Sequence, residues 1–138
     1  MARRKIGLVG YFGYGNYGDE LFIDVYRKYF HDCDVCVLQD SLKSPIYSAK
    51  VYEKIETLDA IIVGGGDLLL PKYFATSYFD DQFLRKPVYL NGVGVPLWTG
   101  EDPAVVAKIA RWSQPSRRRS LRIRTIVSST HLSVAFLQ

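Results

Sequence analysis

Over the first 112 residues of the 138-residue chain, short apolar runs alternate with stretches in which apolar residues recur at helical spacing. Four short apolar runs have the length and composition of buried strands, at residues 4–9, 34–38, 59–63 and 87–91. Between and after them, apolar residues recur at helical spacing over residues 19–31, 47–57 and 103–112. Short strands that alternate with amphipathic helices are typical of βαβ units around a parallel sheet. The pattern therefore predicts an α/β fold with a Rossmann-like, doubly wound parallel sheet.

The first predicted helix begins with two acids, Asp19 and Glu20, where negative charge suits the partial positive charge of a helix N-terminus. Its apolar residues are spaced for one helical face and are Leu21, Phe22, Val25, Tyr26 and Tyr29. We expect this face to pack against the sheet.

Glycine clusters follow three of the four predicted strands, at residues 10–18, 64–66 and 92–94. The carboxyl ends of parallel strands meet at one edge of a sheet, and ligands of open α/β folds bind in the crevice beyond that edge. We therefore predict that the three clusters line a common ligand site. The candidate ligand-binding residues are Gly13, Gly15, Asn16, Gly18, Asp19, Glu20, Gly64, Gly65, Gly66, Asp67, Asn91, Gly92 and Gly94.

Residues 13–18 formally match the motif G-x-G-x-x-G, which binds a pyrophosphate with backbone amides and a helix N-terminus. Asp40 follows the second strand, where a ribose-binding acid would lie. A nucleotide-binding Rossmann oxidoreductase is therefore an alternative. Two observations disfavour it: two aromatic residues separate the strand-end glycine from the motif, and Asp19 and Glu20 would face the pyrophosphate with charge of the same sign.

Basic and acidic residues are distributed unevenly along the chain. The net charge is +4 and the isoelectric point about 9.1, values that often indicate a nucleic-acid-binding protein. Residues 114–138, however, contain five arginines and no acid, which leaves 13 basic and 14 acidic residues over 1–113. The basic character belongs to the tail, and we expect no nucleic-acid partner.

The tail also differs from the body in its bias toward arginine and serine and its lack of glycine. We predict a Rossmann-like N-terminal domain over residues 1–113 and an Arg/Ser-rich tail over residues 114–138. Three interpretations of the tail stay open. It is a basic arm of a non-enzymatic binding module for an anionic partner, a surface helix followed by a further strand, or the product of a reading frame that was altered or cut near residue 113.

The chain has no apolar run of the roughly 20 residues that a membrane helix needs, and its N-terminus lacks the pattern of a signal peptide. We expect a cytoplasmic protein with no integral membrane segment. Cys33, Cys36 and His31 lie close together in the sequence, but a structural zinc site needs four ligands. We therefore expect small buried thiols and no metal site.

Three segments together resemble the polysaccharide pyruvyl transferase family. They are GYFGYGNYGDE at 10–20, IIVGGGDLL at 61–69 and YLNGVGVPL at 89–97, each at the end of a predicted strand. The third segment departs from the family pattern, since Val95 separates Gly94 from Pro96. The resemblance covers residues 5–112 and implies one half of a two-domain, GT-B-like glycosyltransferase fold.

The resemblance also implies an activity. Members of the family transfer a pyruvyl group from phosphoenolpyruvate, a donor substrate and not a cofactor, to a hydroxyl pair of a glycan or a lipid-linked sugar, forming a ketal on a cell-surface polysaccharide. Family members have two such halves, so we expect a truncated chain that is inactive alone and that associates with itself or with a second domain. The catalytic residues stay unassigned, because only Lys72 and Lys43 offer basic groups near the predicted site.

Overall fold

The computed structural model describes residues 2–38, 49–73, 78–112, 124–128 and 131–135. Its main feature is a four-stranded, all-parallel sheet in the order β2-β1-β3-β4. The strands are β1 (Arg4–Val9), β2 (Cys33–Val37), β3 (Ala60–Gly66) and β4 (Val88–Val93). The helices are α1 (Tyr17–Tyr29), α2 (Ala49–Glu56) and α3 (Pro103–Trp112), and two short 3-10 turns cover Asp81–Arg85 and Leu97–Thr99. The predicted α/β fold class is confirmed, and the sheet is consistent with a Rossmann-like fold.

Helices cover both faces of this sheet, because alternate residues of each strand point to opposite sides. On one face Leu8 and Ile62 pack with Tyr26 of α1. On the other, Val63 packs in a second cluster with Ile55 of α2, and Ile109 of α3 packs against that cluster. The near-continuous apolar sequence of β1 and β3 reflects burial on both sides.

The register of the ladder places the ends of three strands together. Val9 pairs with Val63, and Gly64 of β3 pairs with Asn91 of β4. We call this end of the sheet the carboxyl edge and define it by residues 9–10, 64–66 and 91–94. The predicted meeting of the three glycine clusters at one edge is therefore observed in the fold.

Two predicted strand ends are too early. The sequence predicts that β3 ends at residue 63 and β4 at residue 91, whereas Gly64, Gly66 and Val93 remain within the ladder. The glycines of these two strands are therefore strand residues, not loop residues. Strand β4 is hydrogen-bonded to β3 as far as Val93, although Gly92 has a positive φ of 64°.

Helix α1 starts two residues earlier than predicted and ends two earlier. Asn16 is its N-cap, and the Asn16 side chain accepts a hydrogen bond from the backbone N–H of Gly18. The predicted apolar face of this helix is also divided. Phe22 and Tyr26 pack toward the sheet. Leu21, Val25 and Tyr29, which follow one another at intervals of four residues, form a second row that is exposed. The sheet covers only part of the helix surface, so one of the two adjacent apolar rows faces away from the sheet.

The described part of the tail is a hairpin. Strands β5 (Arg124–Ser128) and β6 (His131–Ala135) pair in antiparallel fashion as a separate two-stranded sheet. One of the three interpretations of the tail is a surface helix followed by a further strand, and the structure has two strands here. The surface helix considered there lies outside the described residues.

Both cysteines are free thiols on β2, the edge strand of the main sheet. Cys33 is half-buried and Cys36 is exposed, so the expectation of two buried thiols is wrong for Cys36. Three positions separate them, which places them on opposite faces of the strand. Within the described residues, no helix is both long and apolar enough to cross a membrane.

Candidate functional site at the carboxyl edge

The strands approach one another closely at the carboxyl edge, and glycine makes this approach possible. A Cβ atom on Gly64 would overlap the carbonyl oxygen of Asn91 and lie 2.7 Å from the hydroxyl oxygen of Tyr26. A Cβ atom on Gly10 would overlap the carbonyl oxygen of Gly64. The hydroxyl of Tyr26 donates to the Asn91 carbonyl at 3.1 Å, and burial raises the pKa of Tyr26 to about 12. Gly64 and Asn91 are therefore part of the framework that holds the edge.

Two further predicted site glycines pack against α1. Cβ atoms on Gly65 and Gly92 would lie 3.1 Å and 3.0 Å from ring atoms of Phe22. Both residues also have positive φ angles, of 87° and 64°. The Phe22 ring thus fills the space that side chains at these positions would need, and the two glycines let helix and sheet pack closely.

The β1–α1 loop has a different character. Gly13 and Gly15 have positive φ angles of 85° and 77°, and no atom lies within 4 Å of a Cβ built on Gly15. Two backbone amides of the loop already have acceptors. The N–H of Gly13 donates to the carboxylate of Glu20, and the N–H of Gly18 donates to Asn16 Oδ1 at 3.2 Å. These amides are occupied by the protein itself, which disfavours a bound pyrophosphate at this loop.

Asp19 lies in the first turn of α1 and is buried, with 8% of its surface exposed. Its carboxylate is directed at the end of β3, where Oδ1 lies 2.6 Å from the position of a Cβ on Gly66. Among the described residues, no hydrogen-bond donor or cation pairs with this carboxylate. Burial, followed by the nearby carboxylates of Glu20 and Asp67, raises the pKa of Asp19 above its ordinary value of 3.8.

Asp67 follows β3 immediately and is exposed. A Cβ on Gly94 would overlap its Oδ1, and the N–H of Gly94 donates to the carbonyl of Gly66 at 2.9 Å. Gly66 and Gly94 thus give Asp19 and Asp67 room beside the backbone of β3 and β4. We refer to Asp19, Glu20 and Asp67 as the acidic cluster.

Three tyrosines interact with one another or with Asp19 of the acidic cluster. Tyr11 and Tyr14 stack on each other with ring centroids 4.2 Å apart and planes 6° apart. Tyr78 is half-buried, and its pKa is raised to about 12 by burial first and then by Tyr14, Tyr11 and Asp19. Tyr78 therefore interacts electrostatically with the tyrosine pair and with the buried carboxylate.

Sequence reasoning missed Tyr78, because no motif or spacing connects it to the glycine clusters. Phe12, by contrast, is buried in the core at 1% exposure, so it packs the fold and presents no surface to a ligand. Tyr17 is 80% exposed at the start of α1.

The described cations include Lys72 and a group of basic residues beside β2. Lys72 follows β3 and lies over the ring of Tyr73 at 5.6 Å. A groove of about 580 Å³ lies along β2, and its basic lining residues are Arg3, Lys5, Arg27, Lys54 and His31. Asp40 and Lys43 lie outside the described residues. In the part of the chain that the structure describes, no group of His, Cys, Asp or Glu side chains is arranged to hold a metal ion.

Comparison with known proteins adds one finding. A family model described as polysaccharide pyruvyl transferase matches residues 16–117. The match runs from the N-cap of α1 past the end of α3 and includes the acidic cluster and the ends of β3 and β4. No curated protein and no solved structure matches the chain.

Proposed function

Because the chain belongs to the polysaccharide pyruvyl transferase family, we propose that it takes part in transferring a pyruvyl group from phosphoenolpyruvate to two hydroxyl groups of a sugar. The sugar belongs to a cell-surface polysaccharide or its lipid-linked precursor. The observation that carries this proposal is the family match over residues 16–117, which is most of the chain. The two free cysteines are compatible with a cytoplasmic setting, which is part of the proposal.

The proposed reaction defines what a site must provide. Carbon 2 of phosphoenolpyruvate forms bonds to both sugar oxygens, and its bond to the phosphate oxygen breaks. One hydroxyl proton ends on the methylene carbon, which becomes a methyl group, and the other ends on the departing phosphate. The reaction consumes no oxidant or reductant. It needs cationic groups for the phosphate and carboxylate of the donor, and acceptors for the hydroxyl groups.

The carboxyl edge supplies acceptors for the sugar hydroxyl groups better than it supplies cationic groups for the donor. The carboxylates of the acidic cluster lie beside this edge, and no described cation pairs with Asp19. We therefore propose that the 138-residue chain is inactive alone and that basic groups from another domain or protein complete the donor site.

A reconstitution assay tests this proposal. Phosphoenolpyruvate labelled with ¹³C at the methylene carbon is incubated with the purified chain, with a membrane-containing extract of source cells that lack the gene, and with both together. We expect a labelled ketal methyl signal in the glycan fraction, and an equal release of phosphate, only when chain and extract are combined.

Two results would contradict the proposed function. One is the absence of labelled ketal in every combination, and the other is ketal formed equally well by the extract without the chain. Ketal formed by the chain alone, with a defined sugar acceptor, would support the transfer and refute only the proposed inactivity.

A further inference from the structure

We propose that Asp19, Asp67 and Tyr78 bind the hydroxyl groups of the neutral sugar acceptor, and that phosphoenolpyruvate binds elsewhere. The inference rests on the proposed function and specifies which of the two substrates the carboxyl edge holds. It follows from the juxtaposition of a buried carboxylate, Asp19, and an exposed carboxylate, Asp67, where the first turn of α1 meets the end of β3.

Asp19 is a buried carboxylate without a hydrogen-bond donor among the described residues. A carboxylate that is nine-tenths buried normally receives hydrogen bonds, since leaving it without a partner is unfavourable. The described residues provide no donor to this carboxylate, although it lies directly beside the backbone of Gly66. A ligand that donates hydrogen bonds would satisfy it, and sugar hydroxyl groups are such donors.

The charges around Asp19 bear on the charge of the ligand. The neighbouring carboxylates of Glu20 and Asp67 already act unfavourably on ionised Asp19. A phosphate or carboxylate placed here would add further like charge at short range. The amides of Gly13 and Gly18, which could bind an anion, donate to Glu20 and Asn16 instead. A neutral ligand is therefore favoured over an anionic one.

Aromatic residues accompany the carboxylates. Tyr11 and Tyr14 lie in the loop that leads into the first turn of α1, where Asp19 lies, and their rings stack on each other. Tyr78 interacts electrostatically with this pair and with Asp19. Both rings of the stacked pair belong to exposed residues. Tyrosine combines an apolar ring with a hydroxyl that donates and accepts, which suits a ligand with C–H and O–H groups on the same ring. The edge thus offers both kinds of contact that a pyranose can make.

Saturation-transfer NMR on the full 138-residue chain tests the inference. The neutral probes are methyl galactoside, methyl mannoside and methyl glucoside, and the anionic probe is phosphoenolpyruvate. We expect saturation transfer to the ring protons of at least one glycoside, with no displacement by phosphoenolpyruvate. Asp19→Asn and Tyr78→Phe should each weaken glycoside binding about tenfold or more, because the first replaces a charged acceptor oxygen with an amide NH₂ group and the second removes a hydroxyl.

Matched controls come from the outer surface of α1. Asp24→Asn and Tyr29→Phe make the same chemical changes at exposed positions and should leave glycoside binding unchanged. Thermal melting shows whether each variant is folded. Asp67→Asn, at an exposed position, provides a further variant if either buried-site change prevents folding, and it too should weaken glycoside binding.

Three results would overturn the inference: no glycoside bound by the wild-type chain, equal binding by the wild type and the site variants, or displacement of the glycoside by phosphoenolpyruvate. The reconstitution assay separates this outcome from failure of the proposed function. Normal ketal formation by Asp19→Asn and Tyr78→Phe would refute the assigned site and leave pyruvyl transfer standing. Glycoside binding that these variants lose, with no ketal formed by the wild type, would refute the transfer and leave a sugar site.

Discussion

The glycines of the β1–α1 loop and those at the ends of β3 and β4 look alike in the sequence but have different roles in the structure. Gly15 lies in an open loop where a side chain would meet nothing within 4 Å. Gly64, Gly66 and Gly94 lie where a side chain would collide with backbone or with the acidic cluster. Gly15 is needed only for its backbone angles, whereas Gly64 and Gly94 are needed for the absence of a side chain and Gly66 for both reasons. Substitution by alanine separates these two needs.

The largest effect is expected for Gly64→Ala. Its added methyl group would overlap the carbonyl of Asn91 and approach the Tyr26 hydroxyl, so β3 and β4 would have to separate. We expect a loss of about 3 kcal/mol or more in the free energy of unfolding, measured by urea denaturation. Gly18→Ala is the control, since its nearest neighbour would be 3.6 Å away. A cost below about 1 kcal/mol for Gly64→Ala would refute the close approach of the strands.

A smaller effect is expected for Gly66→Ala, and Gly15→Ala provides its matched comparison. Both residues have positive φ angles, 89° and 77°, so both substitutions carry the strain of that conformation, roughly 1–2 kcal/mol. Only Gly66→Ala also places its methyl group 2.6 Å from Asp19 Oδ1. Gly66→Ala should therefore be the more destabilising of the two in the same urea measurement. Equal costs would mean that backbone strain alone accounts for both positions.

The smallest expected effect is a gain in stability, for Asp19→Asn. The pKa of Asp19 is raised by folding, so this residue favours the folded state at low pH, and that contribution is lost as the pH rises above 3.8 and through the folded-state pKa. Asp19→Asn removes the buried charge and should stabilise the fold at neutral pH by about 1 kcal/mol. The gain over the wild type should shrink as the pH falls, which melting temperatures across an acid-to-neutral series measure. Asp24→Asn should show no such trend, and a wild type more stable than Asp19→Asn at neutral pH would show that the carboxylate has a stabilising partner.

The predicted ligand site shows how far local patterns reach. The glycine clusters were placed at one edge because parallel strands align their ends, and β1, β3 and β4 do so. The role of each glycine could not be predicted from the sequence. A glycine that frees a backbone amide for a ligand and one that makes room for Phe22 are the same residue in the sequence. Tyr78 was missed for a related reason: it belongs to none of the motifs, and only the folded chain shows its electrostatic interaction with Asp19.

By itself, the sequence determined the α/β class, the alternation of strands and helices around a parallel sheet, and the family. Apolar periodicity and glycine spacing carry this information because they act over short stretches of chain. Only the tertiary structure decided which apolar row of α1 is buried, which loop amides already have acceptors, and that Asp19 lies buried among other carboxylates. Those properties depend on distances between residues far apart in the chain, such as Asp19 and Gly66, and packing sets those distances.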